Sequence, residues 1–346
     1  MPVKAFVVEL LTGRGPLVPL VTLLGAGALI FLVAARLARH ANAIAEATGL
    51  GGLWIGSVLL AGSTSLPEVL TDLNAVMFDT PDIGVGDLLG STLANMLILA
   101  TLDLGFARRR ILHQVAVEHT LVGLLAILLT LMAGIAIWTG GWGRIGHVGL
   151  ETIAIAVVYG GGMWLVRGAG AVGPTAPGGG DTEGARRVGL RRAAGGFVLA
   201  TLGLVAVTPW LVLSADALSR ETGLSATFVG TLLVGLATSC PEMAATLSAV
   251  RLGALDLAVG NVFGSNAFNM VILLLMDVAS VRGPLLPVVS RDHLLTVLLA
   301  VACLALGIMA ILSRAQRRPG PVRIESALIV LTYLLGAWAL TGHGGR

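Results

Sequence analysis

The sequence predicts an all-α integral membrane protein whose ten transmembrane helices form two inverted five-helix repeats. Three observations predict it. The 346 residues are 56% hydrophobic and 12% charged, with a mean hydropathy of +0.92, whereas a water-soluble domain carries about 25% charged residues. Apolar stretches of roughly 20 residues, the length needed to cross ~30 Å of hydrocarbon, recur along the chain. A single offset of 174 residues superimposes the polar positions of the first half on those of the second.

The spans are read at 17–37, 51–77, 82–104, 112–137, 146–166, 197–219, 224–250, 256–280, 291–314 and 324–342. The apolar run from Leu17 to Ala35 follows a charged start too short for a secretory signal, and it is long enough to cross the bilayer itself. Short polar or Gly/Pro turns such as Asp79-Thr80-Pro81-Asp82 separate most spans. Residues 168–196 break the pattern with Gly, Pro, Thr, Asp, Glu and Arg, including Gly178-Gly179-Gly180-Asp181. They are expected to form a flexible cytoplasmic linker between a first half at 1–167 and a second at 197–346.

The distribution of cations sets the expected orientation. With the N-terminus outside, fifteen of the 22 Lys and Arg fall on the cytoplasmic side, among them Arg108, Arg109, Arg110, Arg191 and Arg192. The other seven, Lys4, Arg14, Arg144, Arg220, Arg282, Arg291 and Arg346, fall outside. The positive-inside rule then places both termini outside, the central loop in the cytoplasm and the chain in the plasma membrane. The net charge of +3 is no nucleic-acid signature.

The repeat is ungapped over about 55 positions. The offset carries Gly49 onto Gly223, Gly56 onto Gly230, Thr64 onto Thr238, Ser65 onto Ser239, Pro67 onto Pro241 and Glu68 onto Glu242. It also carries Asp82 onto Asp256, Gly86 onto Gly260, Gly90 onto Gly264, Ser91 onto Ser265, Asn95 onto Asn269 and Asp103 onto Asp277. Five spans per half is an odd number, so the second half inserts upside down, as in many secondary transporters.

Glu68 and Glu242 lie inside apolar spans, where a charge costs at least ~2.5–3.5 kcal/mol. Neither helix carries a Lys or Arg nearby, so a bound cation is the natural counter-charge. Each Glu follows a proline, in Thr64-Ser65-Leu66-Pro67-Glu68 and Thr238-Ser239-Cys240-Pro241-Glu242. Proline has no N–H, which frees the carbonyls of Ser63 and Ala237. Carboxylate, hydroxyl and free carbonyl oxygens suit a hard cation; the hydroxyls could instead bond back to their own helices. The next span in each half carries Ser91 with Asn95, and Ser265 with Asn269, at i and i+4 on one helical face. These serve either as neutral oxygen ligands or as interhelical hydrogen bonds. Two carboxylates balance one divalent or two monovalent ions, which is the physical basis of exchange.

These motifs, Ser-Thr-Ser-Leu-Pro-Glu with Gly-Ser-Thr-Leu-Ala-Asn and Ala-Thr-Ser-Cys-Pro-Glu with Gly-Ser-Asn-Ala-Phe-Asn, resemble the two α-repeats of the cation/calcium exchanger superfamily, prokaryotic sodium/calcium exchanger type. The resemblance implies the exchanger fold and a Ca²⁺/Na⁺ antiporter working by alternating access. By resemblance Glu68 and Glu242 are the central ligands. Thr64, Ser65, Ser91, Asn95, Thr238, Ser239, Ser265 and Asn269 surround them, and the first and sixth spans slide across the rest. The sequence departs from the family pattern at several places. Ser63 and Ala237 replace the glycine before Thr-Ser, and Asn269 stands where some relatives carry Asp. Asp87 stands where the second repeat has Asn261, and Asp72 where it has Thr246; each is read as an outer-vestibule ligand, a proton site or a solvated helix-end carboxylate. Asp103 and Asp277 are placed at the membrane interface. The Gly-Asn motif that typically precedes the central Glu of proton/calcium exchangers is absent, which favours sodium.

Two alternatives stay open. One is a proton-coupled or monovalent cation exchanger (H⁺/Ca²⁺ or Na⁺/H⁺) using Asp72 or Asp87. The other is an intramembrane enzyme using the paired Glu as acid and base, against which no nucleophile–base pair is evident. His113, His119 and His147 lack zinc spacing, and Cys240 and Cys303 give no disulfide framework. There is no Walker A motif, so an ion gradient rather than ATP is the expected energy source. The expected partners are Ca²⁺, Na⁺ and lipid, with no cofactor beyond the transported ions.

Overall fold

A computed structural model describes residues 9–13, 15–48, 64–106, 111–168, 183–313 and 323–342. The first part of the span read at 51–77, with Gly49, Gly56 and Ser63, lies outside the described residues. In chain order the helices are α1 (Leu17–Thr48), α2 (Leu66–Met77), α3 (Pro81–Gly105), the single turn α4 (Ile111–Gln114), α5 (His119–Thr139), α6 (Leu150–Gly168) and α7 (Glu183–Thr222). There follow α8 (Ala226–Thr238), α9 (Cys240–Leu252), α10 (Leu255–Ala279), α11 (His293–Leu312) and α12 (Ile324–Gly342). Ahead of α6, β1 (Arg144–Ile145) and β2 (Val148–Gly149) pair antiparallel, with Gly146 in the turn at φ 64°.

Seven of these helices, α1, α3, α5, α7, α10, α11 and α12, are long and apolar enough to cross a membrane, and α8 with α9 forms an eighth candidate bent by 45°. Two sequence expectations are corrected. The linker read at 168–196 is helical from Glu183 onward, because Ala and Arg, both good helix formers, outweigh the scattered glycines there. The span read at 112–137 is interrupted, so that α5 begins only at His119. The carboxylate of Asp256 explains the break: it accepts the Ala116 N–H at 2.7 Å and lies 3.1 Å from His119 Nε2, which draws the chain out of the helix.

Among the described residues the core has two large parts and a small third one, in which Leu11 packs on Leu213 and Ala217. The larger apolar cluster joins α3, α5, α6, α10, α11 and α12. The second joins α1 and α7 to each other and to Ile83, Val229 and Val234. Along their other faces α1 and α7 expose Leu17, Val21, Leu24, Leu199 and Leu202, the surface a lipid-facing helix needs. Helix α3 is buried along nearly its whole length.

Glycines set the depth of its packing. A Cβ at Gly86 would lie 3.0 Å from Thr231 N, and one at Gly235 2.8 Å from the Gly90 carbonyl carbon. Val229–Val234 forms a π-helical turn inside α8, a wide turn of the kind often found at functional sites. It is this turn that rests on α3.

Carboxylates at the helix ends are tied across the halves in matched pairs. Asp82 accepts the Ser290 N–H at 2.6 Å and meets His293 Nε2 at 3.1 Å; the offset of 174 maps this set onto Asp256 with Ala116 and His119. Asp103 accepts from Ser326 Oγ at 2.8 Å and pairs with Arg323 at 3.1 Å. Its counterpart Asp277 accepts from Thr152 Oγ1 at 2.6 Å and from the Gly149 N–H at 2.7 Å. Thr152 maps onto Ser326 by the same offset. Asp103 and Asp277 are thus buried structural ties, each hydrogen bond to a charged group contributing about 1.5–3 kcal/mol.

Candidate cation site

The two proline–glutamate segments sit at helix starts. Pro67 and Pro241 lie in the first turns of α2 and α9, where the missing N–H would have had no helical partner. In the second half α8 ends at Thr238, Ser239 steps out of the helix at φ −76° and ψ 1°, and α9 restarts at Cys240. Ser65 has nearly the same backbone, φ −85° and ψ 6°. Glu68 and Glu242 therefore occupy first turns of helices that begin inside the molecule, where free N–H groups and the helix dipole favour an anion. Each is 1% exposed.

Hydrogen bonds cross between the halves. Ser65 Oγ donates to Glu242 Oε1 at 3.3 Å, and Thr64 also bonds that carboxylate. Ser91 Oγ lies 3.2 Å from Thr238 Oγ1, and Ser91 and Thr238 both reach Asp87 Oδ1, at 3.4 Å and 2.7 Å. Asn95 Nδ2 donates to Asn266 Oδ1 at 2.9 Å. Glu68 neighbours both Glu242 and Asp87. Thr64, Ser65, Glu68, Ser91, Thr238 and Glu242 are thus brought together. Asn95 bonds Asn266 instead of any of these six, and the remaining polar atoms of both asparagine side chains have no hydrogen-bond partner among the described residues. Ser239, Ser265 and Asn269 are buried, but the structure gives their side chains no bond to the others.

Acceptors exceed donors at this site. Both Glu68 carboxylate oxygens, Glu242 Oε2, Asn95 Oδ1 and Asn269 Oδ1 are buried and meet no donor among the described residues. Among the described residues no ion pair involves Glu68, Asp72, Asp87 or Glu242. An unpaired buried charge is severely costly, and a hard cation with oxygen ligands is the chemical complement of such a set. Among the described residues no three His, Cys, Asp or Glu side chains group closely enough to hold a metal alone. A cation here would draw part of its shell from Thr, Ser and Asn oxygens.

The family model described as sodium/calcium exchanger protein matches residues 18–167 and 192–342. The chain belongs to that family. It is thus a membrane protein of a cation exchanger family. The inner membrane protein YrbG of Escherichia coli (strain K12) is 28% identical over 287 residues, covering 80% of this chain and 85% of YrbG. Among solved structures, the H⁺/Ca²⁺ exchanger CAX superposes with a TM-score of 0.64 at 15% identity, over 93% of this chain and 88% of CAX. The sodium-calcium exchanger NCX_Mj superposes at 0.57 with 18% identity, over 94% of this chain and 99% of its own. At these identities the likeness is one of fold, and it is shared by exchangers whose names carry different counter-ions.

Three features of the site go beyond the sequence reading. Of the three readings given to Asp72 and Asp87, the burial of both removes the solvated helix-end carboxylate, and Asp87 accepts directly from Thr238. Asn266 escaped notice because its counterpart in the first repeat is Thr92; the signal lay in its place directly after Ser265. The π-turn in α8 carries no proline and has no sequence mark beyond Gly230 within it and Gly235 after it.

Proposed function

We propose that this exchanger carries Ca²⁺ against Na⁺ by alternating access. Glu68 and Glu242 are its charged ligands, and Asn95, Asn269, Thr64, Ser65, Ser91, Thr238, Ser239 and Ser265 supply neutral oxygens. The observation that carries the proposal is the pair of buried glutamates with three carboxylate oxygens that meet no protein donor and no protein cation among the described residues. A dicarboxylate in a low-dielectric interior cannot change its exposure uncompensated. One Ca²⁺ or two Na⁺ neutralise it equally, so a conformational change that moves only the neutral, loaded site couples the two fluxes.

The proposed frame is ten spans in two inverted five-helix halves, with both termini outside and the central loop cytoplasmic. The exchanged ties of Asp82 with His293 and Asp256 with His119 are what two halves related by a pseudo-two-fold axis would make. The site itself breaks that symmetry. Ser65 bonds Glu242 while Ser239 does not bond Glu68, and Ser91 meets Thr238 while Ser265 has no partner. Swapping which set is formed is a natural description of the opposite-facing state, with α1 and α7 moving as a pair.

The test is ⁴⁵Ca²⁺ uptake into proteoliposomes under an imposed Na⁺ gradient and, separately, under a pH gradient. Sodium-driven uptake that is lost in Glu68→Gln and in Glu242→Gln is the expected result. Uptake driven by pH alone would replace sodium by protons as the counter-ion, and full activity in both variants would remove the glutamates from the site.

A further inference from the structure

The site's asymmetry extends to charge. The offset of 174 that pairs Glu68 with Glu242 also pairs Asp72 with Thr246 and Asp87 with Asn261. In the second half this position is a closed neutral contact, with Asn261 Nδ2 donating to Thr246 Oγ1 at 3.2 Å. In the first half it is two carboxyl groups. Asp72 on α2 lies against Asp87 on α3, carboxyl to carboxyl, with Glu68 beside them. Both aspartates are 0% exposed.

The donor count at this pair is unbalanced. Asp87 Oδ1 is satisfied by Thr238 at 2.7 Å, but Asp87 Oδ2 and both Asp72 oxygens are buried and meet no donor among the described residues. Gly84 brings the α3 backbone against Asp72, since a Cβ there would lie 3.4 Å from Asp72 Oδ1. Two negative charges side by side in a low-dielectric interior repel each other strongly. No Lys or Arg among the described residues pairs with either aspartate. The Thr–Asn version needs no ligand because it satisfies itself; the Asp–Asp version leaves three inward carboxylate oxygens for a hard cation.

We propose that Asp72 and Asp87 form a second cation-binding position, adjoining the glutamate pair and confined to the first half of the molecule. Its ligand is an alkali or alkaline-earth ion held by the two carboxylates. The proposal rests on the exchanger reading for the route by which the ion arrives. It makes the cation load of the protein larger than two glutamates alone could neutralise.

Equilibrium dialysis of the purified full chain in detergent, with ⁴⁵Ca²⁺ and ²²Na⁺ in separate experiments, tests this. Asp72→Thr/Asp87→Asn installs the neutral pair of the second half. The wild type is expected to hold one more cation per chain at saturation than this variant, and the isotope that shows the difference identifies the ion. Should the double variant not fold, Asp72→Asn alone is expected to weaken one class of site by about 10-fold or more, the loss that removing even an indirect metal partner produces. Equal cation counts and affinities in wild type and variants would overturn the proposal, leaving a shared proton as the neutralising charge. Glu68→Gln/Glu242→Gln is run beside them. If it keeps the full count while the aspartate variant loses one cation, the glutamate assignment fails and the aspartate site stands.

Discussion

Glu68 and Glu242 occupy matching helix starts, yet their surroundings differ. Thr64 and Ser65 hold Glu242, whereas Glu68 meets no protein donor. Ser65→Ala removes one hydrogen bond to a charged group, worth about 1.5–3 kcal/mol, and with it the fixed aim of Glu242. The half-saturating Ca²⁺ concentration for uptake is expected to rise about 10-fold or more, since each 1.4 kcal/mol is a factor of ten; an unchanged value would show that Ser65 does not position the ligand. Much at this scale was legible in the sequence, because a charged residue at membrane depth stands out against an apolar background and the repeat marks it twice. Asp72 and Asp87 were legible as residue types but not as neighbours. Their burial depends on how α2 lies on α3, which no local pattern encodes. Asn266 was illegible for the opposite reason, since it has no like residue at its repeat position.

Among the elements, the contact between α3 and the π-turn of α8 positions both halves of the site. Gly90 makes it possible, for a Cβ there would overlap the Thr231 backbone. Backbone cannot yield as a flexible side chain can, so Gly90→Ala forces the helices apart. Overpacking of this kind costs about 1–3 kcal/mol. The variant is expected to unfold at a lower temperature and to transport poorly. Gly160→Ala, at an exposed position of α6 with nothing within 4 Å of the added Cβ, serves as the control and should match the wild type in both measurements. Equal thermal stability of Gly90→Ala and wild type would contradict the packing described. Helix existence was readable from apolar run length, and the proline breaks were readable from Pro67 and Pro241. The π-turn and the interruption before His119 were not, because each is imposed by a distant element, α3 in one case and Asp256 in the other.

At the scale of the whole molecule, α1 and α7 form their own apolar cluster against the broken helices, separate from the main core. Movement of that pair needs α1 to leave α8. A Cβ at Gly27 would lie 3.1 Å from Ala237 Cβ, close to the ~3.5–4.5 Å span of a disulfide. With Cys240 and Cys303 replaced by Ala, Gly27→Cys/Ala237→Cys is expected to lose Ca²⁺ uptake on oxidation and to regain it on reduction. Uptake that continues in the fully cross-linked protein would show that α1 does not slide at this contact. The two-half organisation was legible from the offset of 174, because buried polar residues tolerate few replacements in lipid; the asymmetry of charge between the halves was visible only as two mismatched letters.

Anomalous diffraction from crystals grown with Ca²⁺ would locate the ion. A peak within about 2.3–2.6 Å of carboxylate oxygens from both Glu68 and Glu242 is the expected result. Calcium bound elsewhere, with either glutamate instead paired to an Arg or Lys side chain, would contradict it.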